Sequence, residues 1–239
     1  MTKFLTLVAA GLIAASGLAN ATVVESFSGG QLSTPGWSVG IGADASSFVS
    51  AAPDGTTGIY LTESTWSVNS AIDFHEGELL SAWINPGPSA DPVSGSQGGR
   101  ISLGFASSNA STYALTAASD TNQLLFQSVS GISTTSPSFS DGVASVTSFG
   151  DQWYKLSISW LSSGITGNLY EADGTTLLGS VFMTSPATGS TGVALFGNGG
   201  AVVTSLAVTP VPEPESFALL LAGLGLVASL VKRRKLTHA

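Results

Sequence analysis

Trp153-Tyr154-Lys155-Leu156-Ser157-Ile158-Ser159-Trp160 alternates large apolar and polar side chains with a period of two. The side chains at 154, 156, 158 and 160 share one face, and those at 155, 157 and 159 share the other. This pattern predicts a β-strand with one face in a hydrophobic core and one face in solvent. Ala172-Asp173-Gly174 follows the next apolar run, and an Asp-Gly pair in that place predicts a hairpin turn.

The same alternation between turn signals extends over residues 22–209, which we predict to form one exported domain without an internal linker or repeat. Strong helix formers are scarce in it, whereas β-branched and aromatic residues are frequent. Short strands at this spacing predict an all-β fold, a two-sheet jelly-roll sandwich. The predicted strands are Val23–Phe27, Trp37–Ile41, Gly58–Leu61, Ser67–Ile72, Glu78–Ile84, Arg100–Ala106, Tyr113–Ala118, Gln123–Val129, Trp153–Trp160, Ile165–Glu171, Thr176–Phe182, Gly192–Phe196 and Val202–Val208.

The second half of this domain resembles the concanavalin A-like, laminin-G-like sandwiches. The resemblance rests on the strand that begins at Trp153, the Asp-Gly hairpin within Gly167–Leu178, and the strands Gly192–Phe196 and Val202–Val208. It implies a two-sheet jelly roll, often glycan-binding and sometimes calcium-dependent. A fold of this kind does not by itself identify a site.

The N-terminus has the three parts of a secretory signal peptide, predicted at residues 1–21. Lys3 provides the positive start, and the apolar run Phe4–Leu18 follows it. Ala19-Asn20-Ala21 is the small-x-small pattern that signal peptidase reads, so the mature chain should begin at Thr22. The chain is therefore expected to be exported.

The C-terminal segment, residues 210–235, has three parts in a fixed order. Pro212-Glu213-Pro214 comes first, and prolines there prevent regular structure. An uncharged run, Phe217–Val231, then predicts a transmembrane helix over about residues 216–231, short for a bilayer. The basic cluster at its end should stay in the cytoplasm and leave the N-terminal body outside. The cluster consists of Lys232, Arg233, Arg234 and Lys235.

This order of parts resembles the PEP-CTERM sorting signal of bacterial surface proteins. The resemblance implies processing by an exosortase-type membrane enzyme near Pro212-Glu213-Pro214. It also implies a Gram-negative host, a transient inner-membrane anchor, and delivery to the cell surface or the extracellular matrix with exopolysaccharide or biofilm. The alternative is a plain linker and anchor that stays uncut.

The exported domain carries thirteen acidic side chains but only two basic ones, Arg100 and Lys155, and the chain has no cysteine. Binding to nucleic acid needs clustered Lys and Arg, so this function is excluded, and so is attachment to an anionic membrane surface. A neutral partner such as an extracellular polysaccharide is compatible with this surface. The lack of cysteine excludes disulfides and thiol chemistry.

Few residues of the domain are candidates for catalysis or metal binding. Asp73-Phe74-His75-Glu76-Gly77-Glu78 includes Glu76 and Glu78, whose carboxylates could act in glycoside hydrolysis, but the segment is more typical of a turn that leads into a strand. A single imidazole does not make a zinc site, and no Gly-x-Ser-x-Gly motif supports a serine nucleophile. We therefore predict no catalytic residues and no resident cofactor. Calcium stays open, because oxygen ligands at turns could bind it, at Asp73, Asp91, Asp151 and Asp173.

The five tryptophans either fill the core or form a platform for sugar rings, and core packing is the better prediction. Trp66 and Trp83 are the candidates for glycan contact, because Ser, Thr and Asn surround them. The leading interpretation is a non-enzymatic surface or matrix protein. A lectin-like carbohydrate-binding module and, less favoured, a glycan-active hydrolase are the alternatives.

Overall fold

The structure is a computed structural model of the 239-residue chain. Residues 21–209 form one compact unit, and residues 1–20 with 210–239 form another. The structure describes residues 21–27, 32, 34–39, 45–61, 65–87, 99–132, 138–140, 142, 144–146, 150–186, 190–198, 200–211 and 223–224.

The described portion of the first unit is an all-β sandwich, which confirms the predicted fold class. Its first sheet contains β1 (Thr22–Glu25), β3 (Ala45–Ala51), β4 (Thr57–Leu61), β6 (Glu78–Asn85), β12 (Tyr154–Leu161), β13 (Gly164–Tyr170), β14 (Leu177–Met183) and β16 (Ala201–Pro210). Its second sheet contains β2 (Trp37–Val39), β5 (Thr65–Asn69), β7 (Arg100–Ser107), β8 (Ser111–Ala118), β9 (Gln123–Ser130), β10 (Ser138–Ser140), β11 (Ala144–Val146) and β15 (Gly192–Asn198).

Every strand pair with a described register is antiparallel, and the chain crosses repeatedly between the two sheets. In the first sheet the strand order is β14-β13-β12-β6-β16-β4-β3, and β1 also pairs with β16. In the second sheet the order is β10-β9-β8-β7-β15-β5-β2, and β11 also pairs with β9. Three consecutive strands, β12, β13 and β14, therefore run to the β14 edge of the first sheet.

The core lies between the two sheets and confirms the predicted inward face of β12. Tyr154, Leu156, Ile158 and Trp160 are 1%, 0%, 0% and 8% exposed. Leu103 and Leu115 of the second sheet lie in the same cluster. Because inward and outward side chains alternate along a strand, the positions between these residues face outward.

The Asp-Gly hairpin is also confirmed, at the turn between β13 and β14. The N–H of Gly174 donates to the carbonyl of Glu171 (2.9 Å), and Gly174 has a φ of 71°. Glycine adopts this left-handed conformation without the steric cost that a Cβ brings.

Three strands were not predicted, and one was misplaced. β3, β10 and β11 are rich in serine or alanine and show no clear alternation of apolar residues. β10 and β11 both pair with the edge of β9. The strand predicted at Ser67–Ile72 ends at Asn69 instead, because the Asn69 side chain accepts the N–H of Ala71 (2.9 Å) and starts a turn.

Most of the sorting segment and the signal peptide falls outside the described residues. Gly223 and Leu224, within the predicted transmembrane helix, are helical. Among the described residues, a helix with the length and hydropathy needed to cross a membrane is not found.

Candidate functional site

The outward side of four strands of the first sheet forms a face of three rows, fixed by the pairing of β6, β12, β13 and β14. Each row runs across the strands, one residue from each strand. The first row is Trp83, Lys155, Tyr170 and Leu177, the middle row is Ser81, Ser157, Asn168 and Ser180, and the third row is Leu79, Ser159, Thr166 and Phe182. We call this surface the furrowed face.

The middle row makes the furrow, because three of its four side chains are serines. Ser157 is 3% exposed and Ser81 is 9% exposed, whereas Asn168 is half-buried and Ser180 is exposed. The flanking rows have long side chains at their ends, of which Leu177 is 53% exposed and Phe182 is 49% exposed. The furrow is therefore a row of mostly hydroxyl side chains, with aromatic or aliphatic groups at the ends of the two flanking rows.

Several polar side chains of the furrowed face are not paired with one another. Among the residues that the structure describes, the side chains of Lys155, Ser157 and Asn168 make no hydrogen bond or ion pair, and neither do those of Ser81 and Thr166. Together they offer hydroxyl donors and acceptors, an amide and one ammonium group. These are the groups that recognise a hydroxyl-rich ligand.

Trp83 lies at one end of the first row, beneath the Asp-Gly turn. A Cβ built on Gly174 would lie 3.1 Å from Trp83 Cη2 and 3.6 Å from Lys155 Cδ. The turn therefore packs on a portion of the indole, and the rest of this half-buried ring borders the furrow. The predicted glycan contact at Trp83 thus has a partly accessible ring.

Trp66, the second predicted contact, lies on the outward side of the other sheet, in a covered position. It is 2% exposed and packs on Phe196 with ring centroids 4.9 Å apart. Its Nε1 is buried without a hydrogen-bond partner among the described residues. Ile132 and Phe139 pack into the same region, since Ile132 is a member of its apolar cluster and the Phe139 ring contacts Phe196 at 6.3 Å.

Polar side chains on that side of the second sheet are already paired with one another. Ser102 and Thr116 share a hydrogen bond of 2.8 Å, and Thr116 donates to Gln127 Oε1 at 3.1 Å. Ser102 and Thr116 are each 2% exposed. The outward sides of the two sheets therefore differ: the second is packed and hydrogen-bonded, and the first has free polar groups.

The acidic segment forms the predicted turn before β6, which begins at Glu78. Glu78 Oε2 accepts the backbone N–H of His75 (3.0 Å) and lies 3.2 Å from His75 Nδ1. Asp73 Oδ2 is 3.6 Å from the same nitrogen, and Glu76 is exposed. The Glu78 carboxylate thus caps a turn.

The described aspartates considered for calcium have different partners. Asp151 accepts a hydrogen bond from Asn85 Nδ2 (3.0 Å), Asp173 caps the Asp-Gly turn, and Asp91 lies outside the described residues. A group of three or more metal-ligating side chains is not found among the described residues. Calcium binding stays a prediction.

Among the described titratable groups, Asp173 has the pKa that its surroundings change most clearly. Its carboxylate accepts the Thr176 hydroxyl (2.5 Å) and the backbone N–H groups of Thr176 and Thr175 (2.8 Å each). These bonds, led by the Thr176 hydroxyl, hold the pKa of Asp173 well below its usual range.

We expect the turn to keep this support at neutral pH and to lose it only in strong acid. A carboxylate with a depressed folded-state pKa adds stability above its unfolded pKa of about 3.9, and this stability is lost as the pH falls through the folded value. A carboxyl NMR titration should therefore give Asp173 a midpoint well below that of an ordinary aspartate. Thr176→Val should move the midpoint upward, and an ordinary midpoint in the unsubstituted chain would contradict this assignment.

The processing residues lie mostly outside the described ranges, namely Ala19, Pro212, Glu213, Pro214, Lys232, Arg233, Arg234 and Lys235. Thr22, the predicted first mature residue, begins β1 and is paired with Val208 of β16. The predicted start of the domain thus lies beside the strand that leads into the sorting segment.

Asn168 and Tyr170 of the furrowed face carry no sequence signal that marks them as site residues. Within this face, the sequence indicated only that the side chains at 155, 157 and 159 of β12 point outward. The alternation within one strand does not supply the register, which sets β13 and β6 on either side of β12.

Comparison with protein families identifies the C-terminal segment. Residues 210–235 match the PEP-CTERM protein-sorting motif, as the order of their parts predicted. This motif marks an exported protein that is sorted to the cell envelope and processed by the membrane enzyme exosortase. Among curated proteins, none matches this chain in sequence.

Solved structures similar to the sandwich include two carbohydrate-binding modules and a galectin. Carbohydrate-binding module CBM66 from Bacillus subtilis is 13% identical with a TM-score of 0.46, covering 73% of this chain and 95% of the module. The CBM2 module of the evolved Dit protein of Lactobacillus casei BL23 phage J-1 is 14% identical with a TM-score of 0.48, covering 82% and 99%. Caenorhabditis elegans galectin LEC-6 is 15% identical with a TM-score of 0.39, covering 62% and 92%.

Proposed function

We propose that this chain is a non-enzymatic protein of the cell surface or extracellular matrix, whose sandwich holds neutral exopolysaccharide on the furrowed face. One observation carries the proposal: the hydroxyls and amide of this face are unpaired among the described residues and lie between rows that contain Trp83, Tyr170 and Phe182. Aromatic rings stack on the apolar faces of sugars, and the free polar groups bind sugar hydroxyls.

The charge of the domain supports a neutral ligand. Its thirteen acidic side chains outnumber its two basic ones, so a polyanion would be repelled over most of the surface. Lys155, in the first row, lies on the furrowed face itself. A single ammonium group there can donate hydrogen bonds to sugar hydroxyls without attracting a nucleic acid.

The positions of the carboxylates support a binding function over hydrolysis. Glycoside hydrolysis needs an acid and a base or nucleophile that flank the scissile bond. The Glu78 carboxylate already accepts a hydrogen bond from the backbone N–H of His75, and Glu76 is exposed on the same turn. This arrangement is typical of a capped surface turn.

The delivery route that we propose follows from the sorting motif. Export leaves the sandwich outside, the apolar run Phe217–Val231 anchors it in the inner membrane, and the four terminal cations remain in the cytoplasm. Cleavage near Pro212-Glu213-Pro214 then releases the domain to the surface of a Gram-negative cell. Mass spectrometry of the released protein checks this step, because an intact Lys232–Ala239 tail would contradict cleavage.

Glycan binding can be tested by affinity electrophoresis of the full chain through gels that contain dextran, or exopolysaccharide prepared from the source bacterium. We expect at least one of the two to retard the chain. Trp83→Ala should weaken binding roughly tenfold, since an aromatic contact contributes about 1 kcal/mol or more. Asn168→Ala should weaken it by a smaller factor, through the loss of one hydrogen-bonding group.

The matched control is Thr121→Ala, an exposed position in the turn between β8 and β9. Circular dichroism shows whether each variant keeps the fold, which matters for Trp83 because it supports the turn at Gly174. Unchanged mobility of both face variants, with the control equal to the unsubstituted chain, would overturn the proposal. No retardation of the unsubstituted chain by either polysaccharide would overturn it too.

A further inference from the structure

β14 is an edge strand of the first sheet, and β9 and β11 of the second sheet lie close to it. It ends the strand order of the first sheet, so its outer backbone side has no strand partner among the described residues. Leu177 and Phe182 on it are 53% and 49% exposed, and Ser180 is exposed as well. An edge strand with exposed apolar side chains and no strand partner on its outer side can serve as a template for strand addition.

Charge is absent from the sequence of this edge and of the segment that follows it. Residues 174–191 contain no Asp, Glu, Lys, Arg or His, although the domain as a whole is acidic. Natural edge strands are commonly protected by charged side chains, by proline or by being very short. β14 is seven residues long and has neither charge nor proline, whereas β2, β10 and β11 at the edges of the second sheet have three residues each.

We propose that β14 pairs in antiparallel fashion with β14 of a second copy of this chain, which joins the first sheets of two molecules. The pairing that keeps inward and outward sides matched is centred on Val181, whose side chain faces the core and is 4% exposed. Ser180 of each copy then lies opposite Phe182 of the other. The pairing is two-fold symmetric, so each contact occurs twice.

The second copy is the occupant that fits this edge best, for electrostatic and steric reasons. Two acidic domains repel each other over most of their surfaces, and an uncharged strip is where like molecules can approach. The Phe182 ring lies across Gly164 of β13, where a Cβ would be 2.5 Å from Phe182 Cζ. The ring therefore leans over β13, away from the second copy, and leaves the outer backbone side of β14 clear of this ring.

This inference does not depend on glycan binding. The pairing uses the backbone edge of β14, and although Ser180 and Phe182 also belong to the furrowed face, the glycan contacts to be tested are Trp83 of β6 and Asn168 of β13. Failure of polysaccharide binding would leave the pairing unaffected, and failure of the pairing would leave the furrow in place. Both activities together would cross-link polysaccharide chains.

The chain has no native cysteine, so disulfide trapping tests the pairing in the full chain. Ser180→Cys and Phe182→Cys are made in two copies with different epitope tags, which are expressed together and exported. Opposed residues of an antiparallel pair are close enough for a disulfide after slight adjustment. After mild oxidation we expect the mixed-tag dimer to exceed, several-fold, the dimers formed by either variant alone.

The control is Ser162→Cys, exposed in the turn between β12 and β13. A mixed dimer no more abundant than the dimer of this control would overturn the proposal. A second measurement uses Thr184→Lys, just beyond β14, and Val181 is left intact to preserve the core. Two-fold pairing places residue 184 opposite Leu178 of the second copy, so the added charges should reduce the mixed dimer several-fold, and an undiminished yield would contradict this register.

Discussion

Glu25→Ala is expected to lower the free energy of unfolding by about 3–5 kcal/mol, a large share of the 5–15 kcal/mol typical of a domain. Glu25 is 1% exposed although it is charged. Its carboxylate accepts the N–H of Phe27, the N–H of Thr34 and the indole Nε1–H of Trp37, each at 2.8 Å. Removing it leaves several donors without their acceptor, and each costs about 1–3 kcal/mol when water does not replace it.

Local backbone geometry adds to this effect. Phe27 has a φ of 51°, which a bulky non-glycine residue rarely adopts, and the bond from its N–H to Glu25 helps to hold it there. Trp37 packs against the core and reports on the same region by fluorescence. The carboxylate thus fixes β1, the segment around Thr34 and β2 to one another.

Urea denaturation followed by tryptophan fluorescence measures the loss. Glu25→Gln keeps one acceptor oxygen and should lose less than the alanine variant. Glu76→Ala, at an exposed position, should change stability by less than about 0.5 kcal/mol. A loss below about 1 kcal/mol for Glu25→Ala would show that the buried carboxylate is not what joins these segments.

Phe105→Ala is expected to cost about 3–5 kcal/mol, because it empties the centre of an aromatic cluster between the sheets. Phe105 is 0% exposed. Its ring centroid lies 5.9 Å from that of Phe126, 6.0 Å from that of Tyr113 and 6.1 Å from that of Trp160. Trp160 belongs to the first sheet, so the cluster joins both halves of the sandwich.

The control for this variant also replaces a phenylalanine by alanine, but at an exposed position. Phe182→Ala removes a ring that is 49% exposed and should cost well under half as much. Both variants are compared by thermal and urea denaturation of the full chain. Equal losses at the two positions would contradict a central role for the Phe105 cluster in a domain that has no disulfide to support it.

Local sequence patterns predicted the strands and the turn well where alternation was strong. β12 carries four inward apolar side chains, and the Asp-Gly turn follows from two adjacent residue types. β3, β10 and β11 were missed because serine and alanine at most positions leave the two faces of a strand indistinguishable. Their pairing with neighbouring strands, not their own pattern, makes them strands.

The tryptophans also show what local sequence predicts and what depends on the fold. Composition around Trp66 and Trp83 is similar, so the sequence predicts both as glycan candidates. The structure buries Trp66 under Phe196 and its neighbours, and leaves a portion of Trp83 beside the furrow. Glu25 carried no sequence signal of its importance, because its partners at 34 and 37 are brought to it by the fold.

The sequence by itself determined the sorting motif at residues 210–235, the all-β class, and the acidic charge of the domain. These properties depend on residue order and composition within short stretches, which need no tertiary contact. Only the tertiary structure decided the rows of the furrowed face, the covered position of Trp66 and the place of β14 at the end of its sheet. Each of these depends on register and strand order between distant segments, and a shift of one residue would turn every side chain to the opposite face.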